Sequence, residues 1–253
     1  MLILIAESKT MSAKEMEIST PQFPAGEEDA DMVCRQLAEM SAAEIATLLK
    51  LSPSLAVTCL KLARGFPYKS TGYKAIDAYT GVVFRALESP TFTDEMMEFA
   101  NGRLIIISSL YSLLRPTDTI KPYRLDYTSK AAPKETPMWK WQQKATTERL
   151  LVRLKESNAK EILNLMPADA CKCIDWKKIL PSARVVTVNF KELQPGGERK
   201  TPQANRLKQL RGMMTRRIIE ERIETAEQLK DLNHDHFVFD PETSTADSLT
   251  FLC

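Results

Sequence analysis

Short apolar runs alternate with amphipathic stretches along the 253-residue chain, and this pattern predicts strands interleaved with helices. The runs at residues 1–6 and 104–107 consist almost entirely of leucine, isoleucine and other apolar residues. Each is followed by a polar residue, which is typical of a short strand buried on both faces. Four further strands are predicted, at residues 161–166, 184–190, 237–239 and 249–251.

Apolar residues that recur every three or four positions predict helices between these strands. Such helices are expected at residues 27–40, 42–50, 93–100, 138–157, 175–180 and 203–223, and a further apolar helix opens at residues 79–84. The order of strands and helices predicts a sheet that is covered by helices.

The helix predicted at residues 203–223 combines a core stripe with a basic margin. The stripe consists of residues three or four positions apart, namely Leu207, Leu210, Met214 and Ile218. Lys208 and Arg211 lie together along one margin. Gly212 costs about 1 kcal/mol relative to alanine inside a helix. We therefore expect a close approach at Gly212, either by a DNA backbone or by a neighbouring helix.

Two helices joined by a short turn are predicted at residues 41–63. Ser41 begins a capping box, while Ser52 is a good N-cap and Pro53 a good first helical residue. This is the arrangement of the helix-hairpin-helix module, in which the turn holds a nucleic-acid phosphate. Ser52 and Ser54 would then contact the phosphate. The turn has no glycine and Pro53 removes a donor, and these two features favour a simple packing hairpin.

The segment at residues 109–127 places two arginines and two tyrosines just beyond a core strand. Prolines at 116 and 122 interrupt helix formation, so irregular chain is expected there. Arg115 and Arg124 offer planar donors suited to phosphate, and Tyr111 or Tyr123 would stack on exposed bases. The alternative is a surface turn whose arginines pair with the aspartates of the same segment.

The polar loop at residues 7–10 follows the first predicted strand. Ligands of sheets flanked by helices commonly bind at the carboxyl ends of strands, which makes Lys9 a candidate binding residue. The alternative is that Lys9 is an ordinary exposed lysine.

Composition and cysteine content limit the classes of protein to which this chain can belong. The chain is 43% hydrophobic and 27% charged, as globular proteins are, and it has no apolar run of about 18 residues that would cross a membrane. Five cysteines without disulfide-like spacing favour reduced thiols and a cytoplasmic location.

The formal net charge of +2 conceals an uneven distribution. Residues 103–149 carry nine Lys/Arg and four acids, and residues 199–222 carry eight Lys/Arg and two acids. Residues 27–44 carry six acids and one arginine. A basic face is therefore expected on a nearly neutral protein, which indicates polyanions as partners.

Metal, cofactor and familiar catalytic motifs are weak or missing in the sequence. Cys171-x-Cys173 and His234-x-His236 match no standard ligand spacing, so we expect no metal and no cofactor. There is no Walker loop, no Rossmann glycine fingerprint and no serine or cysteine triad motif. These observations favour binding over familiar catalysis.

Several segments resemble the YaaA family of peroxide-stress proteins along nearly the whole chain. They are LILIAESKT, YTGVVF, LYSLLRPTDTIKPYRLD, the NL after the strand at 162, and RGMMTRRIIEERI. The resemblance implies a single α+β domain over residues 1–253, with a central mixed β-sheet surrounded by helices and a helix-hairpin-helix element. It also implies a cytoplasmic bacterial protein that limits damage from hydrogen peroxide and iron and binds duplex or locally unpaired DNA.

The resemblance would line a basic DNA-binding cleft with residues from three segments, namely Lys9, Arg115, Tyr123, Arg124, Lys208 and Arg211. Three departures affect this cleft. Glu7 stands where the family commonly has a small residue, Met166-Pro167 replaces the usual alanine–serine, and the stretch before Arg211 is polar.

Two other functions compete with DNA binding. One is an enzyme acting on a nucleobase or nucleotide, with Lys9 as nucleophile or acid and the arginines clamping a phosphate. The other is a protein-interaction scaffold that uses the acidic helices near residues 27–44.

Overall fold

A mixed sheet of eight strands lies at the centre of the computed structural model, which describes residues 1–12, 16–17, 20–66, 71–232 and 234–253. A three-stranded antiparallel sheet accompanies it. In chain order the strands are β1 (Leu2–Ala6), β2 (Met16–Glu17), β3 (Thr71–Lys74), β4 (Leu104–Ser108), β5 (Ser112–Leu114), β6 (Thr119–Ile120), β7 (Glu161–Asn164), β8 (Arg184–Leu193), β9 (Arg199–Lys200), β10 (Val238–Phe239) and β11 (Ser248–Leu252).

Helices cover both faces of the large sheet. They are α1 (Glu27–Ala38), α2 (Ala42–Leu49), α3 (Pro53–Gly65), α4 (Ala75–Ala78), α5 (Val82–Leu87), α6 (Asp94–Arg103), α7 (Met138–Ser157), α8 (Ala168–Cys171), α9 (Trp176–Ile179) and α10 (Ala204–Glu220). The predicted α+β class with a mixed central sheet is confirmed.

Five strands of the large sheet run parallel, in the spatial order β4, β1, β7, β8 and β11. The chain leaves β1 for β4 on one side, and every later parallel strand lies on the other side. The strand order therefore reverses between β1 and β7. In open sheets flanked by helices, such a reversal opens a crevice at the carboxyl ends of the strands, where ligands commonly bind.

Strand β1 is buried along its whole length because both faces of the sheet are covered. Ile3 and Ile5 belong to the core shared with α1, α5 and α10. Leu2 and Leu4 point the other way, into the core shared with Leu150 of α7. Alternation of side chains along a strand explains why a continuous apolar run is needed here.

The two predicted helices at residues 41–63 are present as α2 and α3. Ser41 Oγ accepts the Glu44 amide at 3.2 Å, while Glu44 accepts the Ser41 amide at 2.8 Å, which completes the capping box. Ser52 caps α3. The chain turns by 110° between the helices. Their identity as a nucleic-acid-binding helix-hairpin-helix stays a prediction.

Within the described ranges no single helix is long and apolar enough to cross a membrane. Helices α2 and α3 together satisfy the length and composition of a span, but only as a pair bent at its centre.

Gly212 lies buried where α10 crosses α5. A Cβ atom at this position would lie 2.2 Å from the carbonyl oxygen of Val83 and 2.8 Å from Cβ of Ala86. The close approach expected at Gly212 is therefore made by a neighbouring helix. The expectation that a DNA backbone approaches Gly212 is wrong, because α5 occupies the space beside it.

We predict that Gly212→Ala destabilises the protein by about 1–3 kcal/mol, since the added methyl group overlaps the α5 backbone. The matched control is Gly102→Ala in α6, where an added Cβ meets nothing within 4 Å and the helix gains up to about 1 kcal/mol. Thermal unfolding of both variants measures the difference. Equal melting temperatures would show that the α5–α10 contact does not require glycine.

Candidate functional site

A cleft of about 510 Å³ opens at the carboxyl ends of β1 and β7, where the strand order reverses. Its walls come from the loop after β1, the start of α5, the segment after β7 and the middle of α10. The polar and charged side chains around it are those of Glu7, Ser8, Lys9, Thr10, Arg85, Asp126, Tyr127, Asp169, Lys208 and Arg211. Segments that are far apart in sequence therefore meet at one crevice.

Glu7 is the first residue after β1, and its carboxyl group turns towards the end of β4. Its Oε2 accepts the Ser109 amide at 2.9 Å and the hydroxyl of Tyr123. Its Oε1 is buried and has no partner among the described residues. Burial raises the pKa of Glu7 to about 7, although the hydrogen bonds from Ser109 and Tyr123 oppose the shift.

Tyr123 joins Glu7 to a buried network of hydroxyl groups. With its own proton donated to Glu7, the Tyr123 hydroxyl accepts from Tyr79 at 2.7 Å and from Ser108 at 2.7 Å. The Tyr111 hydroxyl accepts the Lys121 amide at 2.9 Å. These bonds satisfy polar groups that burial would otherwise leave unpaired.

The expected stacking of Tyr111 or Tyr123 on exposed bases is wrong. Their side chains are 2% and 4% exposed, and the two rings pack edge to face with centroids 5.8 Å apart. Neither ring offers a free face to a base, because both lie in the core beneath the segment at residues 109–127.

Lys9 is held in the cleft wall by two contacts. Its ammonium group donates to Asp126 at 2.7 Å, and Arg124 donates to its carbonyl oxygen. Burial opposes ionisation of Asp126, but hydrogen bonds from Lys9 and Thr128 lower its pKa to about 2. An amine nucleophile would first have to lose this aspartate, so the geometry gives the enzyme hypothesis based on Lys9 little support.

Arg211 is the most buried cation of the cleft. It stands on α10 beside exposed Lys208, and its Nε atom is buried without a partner among the described residues. Burial lowers the pKa of the guanidinium group, opposed by nearby Cys171. No carboxylate forms an ion pair with it in the part of the chain that the structure describes. A partly buried guanidinium group without an acidic partner is available to an anion from outside.

Arg115 lies outside the cleft, contrary to the expectation that it would line it with Lys9 and Arg211. Strand β5 runs antiparallel to β4, with Leu114 opposite Ile106, and so carries the chain back from the carboxyl ends of the parallel strands. Arg115 instead lines a separate pocket with Arg149 and pairs with Glu156 at 3.6 Å.

The remaining candidate residues are divided between the cleft and other surfaces. Ser52 and Ser54 are exposed at the start of α3, bond each other at 3.2 Å and do not line the cleft. Arg124 supports the loop at Lys9 from beside the cleft. Lys9, Lys208 and Arg211 do come together there.

The cysteine and histidine pairs do not form a metal cluster. Cys171 contacts Asn164, while the His234 ring stacks on Phe237 with centroids 4.7 Å apart. Among the residues that the structure describes, no group of three or more metal-ligating side chains converges.

From the sequence, Glu7 stood out only as a departure from a family pattern, and Asp126 only as a possible partner of nearby arginines, whereas the structure pairs Asp126 with Lys9. The available signal for Glu7 was an acidic residue placed directly after a fully apolar strand. A carboxyl group at such a position is prone to desolvation, and perturbed carboxyl groups in clefts are typical of functional sites.

We predict a pH-dependent stability effect for Glu7→Gln. The folded-state pKa of about 7 exceeds the ordinary value of 4.5, so the stabilising contribution of Glu7 is complete below pH 4.5 and is lost as pH rises through 7. The free energy of unfolding of Glu7→Gln relative to wild type should therefore rise by about 2–3 kcal/mol between pH 5 and pH 8. Urea unfolding at both pH values measures this change.

Asp126→Asn is the matched control, because the lowered pKa of Asp126 places its titration below pH 5. Its difference from wild type should be the same at pH 5 and pH 8. A Glu7→Gln difference that is equally constant would show that the Glu7 carboxyl is already ionised at pH 5.

Comparison with known proteins gives one consistent result. The family model described as "Peroxide stress protein YaaA" matches residues 1–243. A UPF0246 protein of Parabacteroides distasonis is 31% identical over 258 aligned residues, which cover 100% of this chain and 99% of the relative. UPF0246 proteins of Bacteroides fragilis and Bordetella avium are each 32% identical, over 99% of this chain and 98% of their own length. The chain is therefore a member of the YaaA family of peroxide stress proteins.

Proposed function

We propose that this protein binds DNA in the cleft between β1 and β7 as part of the defence against hydrogen peroxide. Membership of the peroxide stress family supports an oxidative-stress role. DNA is the polyanion whose phosphates would occupy the cleft, and its binding would limit peroxide and iron damage.

The observation that carries the proposal is the guanidinium group of Arg211, which has no acidic partner among the residues that the structure describes. Arg211 is partly buried, and a partly desolvated cation without an acidic partner is stabilised when an anion neutralises it. A phosphate oxygen meets this need well, because a guanidinium group donates through a planar fork. The position of Arg211 inside a crevice at the carboxyl ends of parallel strands agrees with that role.

The other charges of the cleft leave Arg211 free for this contact. Asp126 is neutralised by Lys9, and Asp169 pairs with Lys172 at 3.1 Å. Lys208 adds an exposed cation on the same helix as Arg211. Phosphates approaching the cleft would therefore meet two cations of α10 before any unpaired surface acid.

The size of the cleft favours locally unpaired DNA over a continuous duplex. A volume of about 510 Å³ lies in the range of pockets that enclose one small molecule. One nucleotide of an unpaired strand fits such a space, whereas stacked base pairs do not enter it. We place this binding in the cytoplasm, since all five cysteines are free thiols, as is usual in reducing compartments.

We predict that Arg211→Gln weakens binding of DNA with an unpaired bubble by about 10- to 100-fold, because the variant cannot form a charge-assisted hydrogen bond to phosphate. The slope of the log–log salt dependence should flatten by about 0.7 for each single-strand phosphate that the variant no longer neutralises. Fluorescence anisotropy titrations at several salt concentrations measure both quantities.

The matched control is Arg206→Gln, which removes the same charge from the same helix outside the cleft. It should change the affinity less than about threefold. An equal fall in affinity in the two variants would contradict a role for the cleft, and failure of the wild-type protein to bind bubble DNA would refute the proposed function.

A further inference from the structure

The two oxygens of the Glu7 carboxyl group have different surroundings. Oε2 is held by the Ser109 amide and the Tyr123 hydroxyl. Oε1 is removed from solvent and makes no well-formed hydrogen bond within the described ranges, although the Ser109 hydroxyl, also buried and unpaired there, lies close enough to oppose the rise in the pKa of Glu7. A buried carboxyl oxygen without a partner is unfavourable whether the group is neutral or ionised, and such atoms in native proteins commonly mark a binding or catalytic role.

The structural contacts of Glu7 do not require a carboxyl group. A glutamine side chain would accept the same two donors through its carbonyl oxygen. What a glutamine cannot do is accept a further hydrogen bond at the position of Oε1, if its amide nitrogen lies there. The feature that distinguishes glutamate at this position is therefore a second acceptor oxygen, which makes no well-formed hydrogen bond among the described residues.

Glu7 lines the same cleft as Arg211, and the walls near them are largely apolar. Ile5, Val82, Val83, Leu165 and Pro167 contribute to these walls. The terminal torsion of a glutamate is broad, so a rotation can present Oε1 to a molecule in the cleft. The same rotation moves Oε2 relative to the Ser109 amide and the Tyr123 hydroxyl, and a bound N–H group has to compensate for what those bonds lose. The cleft thus combines a cation, apolar walls and an acceptor, which suits a flat heterocycle that carries a phosphate.

We propose that the cleft is a nucleotide site in which Oε1 of Glu7 accepts an N–H group from the base while Arg211 holds the phosphate. The phosphate contact rests on the proposed function, whereas the contact to the base is a separate claim about Glu7. Each of the common bases offers at least one N–H donor on its edge, and a carboxylate is a suitable acceptor for it.

The two protonation states of Glu7 make this contact pH-dependent. Burial raises the pKa of Glu7 to about 7, so the accepting carboxylate form grows between pH 6 and pH 8. The titratable groups facing Glu7 are Tyr79, Tyr123, Tyr127 and Cys173. Burial raises the pKa of each well above this range, so of these five groups only Glu7 changes charge there.

The test compares the four nucleoside 5′-monophosphates with ribose 5-phosphate, which carries the phosphate but no base. Isothermal titration calorimetry on the full chain at pH 6 and pH 8 gives, for each nucleotide, the ratio of its affinity to that of ribose 5-phosphate. In wild type, at least one nucleotide should bind about tenfold or more tightly than ribose 5-phosphate at pH 8. That preference should fall at pH 6. Because both ligands carry the same phosphate group, the effect of phosphate ionisation on affinity divides out of the ratio.

Glu7→Gln should abolish the preference and its pH dependence while leaving the affinity for ribose 5-phosphate unchanged or improved at pH 8. Asp169→Asn, which removes an exposed acid of the same cleft, should keep both the preference for a nucleotide and its pH dependence. Arg211→Gln should weaken nucleotides and ribose 5-phosphate alike. Circular dichroism of each variant checks that the fold is retained.

The outcomes separate this inference from the proposed function. If ribose 5-phosphate binds through Arg211 but no nucleotide is preferred, the base contact is refuted and the phosphate site stands. An unchanged preference in Glu7→Gln also refutes it. If neither ribose 5-phosphate nor any nucleotide binds wild type, the phosphate site fails together with the base contact.

Discussion

Burial of β1 on both faces and both edges is the constraint on which the rest of the structure depends. A strand in the middle of a covered sheet has to pair its backbone on each side, and here β4 and β7 supply those partners. The pairing brings the ends of three strands to one edge of the sheet. The crevice beside Glu7 follows from this strand order and needs no special local sequence.

The polar groups at that edge receive their hydrogen bonds from residues of the core. The Ser109 amide and the Tyr123 hydroxyl occupy one oxygen of Glu7, and Tyr79 and Ser108 support Tyr123 in turn. A buried network of this kind holds its members in one arrangement because any loose member would be an unpaired polar group. The segment at residues 109–127 therefore acts as a rigid support beneath the cleft.

Two groups at the cleft are left with unused hydrogen-bonding capacity, and they have opposite chemistry. Among the described residues Arg211 has no acidic partner, and Oε1 of Glu7 makes no well-formed hydrogen bond. No ion pair joins them in the described part of the chain, although both line one space of about 510 Å³. A ligand with an anionic end and an N–H group would bind both groups at once. This complementarity links the proposed function to the inference about Glu7.

The sequence by itself determined the strands and helices that form because of neighbouring residues. The apolar runs predicted β1 and β4, the serine caps predicted α2 and α3, and the spacing of Leu210, Met214 and Ile218 predicted the buried face of α10. Lys9, Lys208 and Arg211 were also correctly grouped at one cleft, through a family resemblance. Tertiary structure alone decided the rest. Arg115 was displaced by the antiparallel return of β5, and Tyr111 and Tyr123 were buried by packing, because strand pairing and burial depend on contacts between distant segments that a local pattern does not encode.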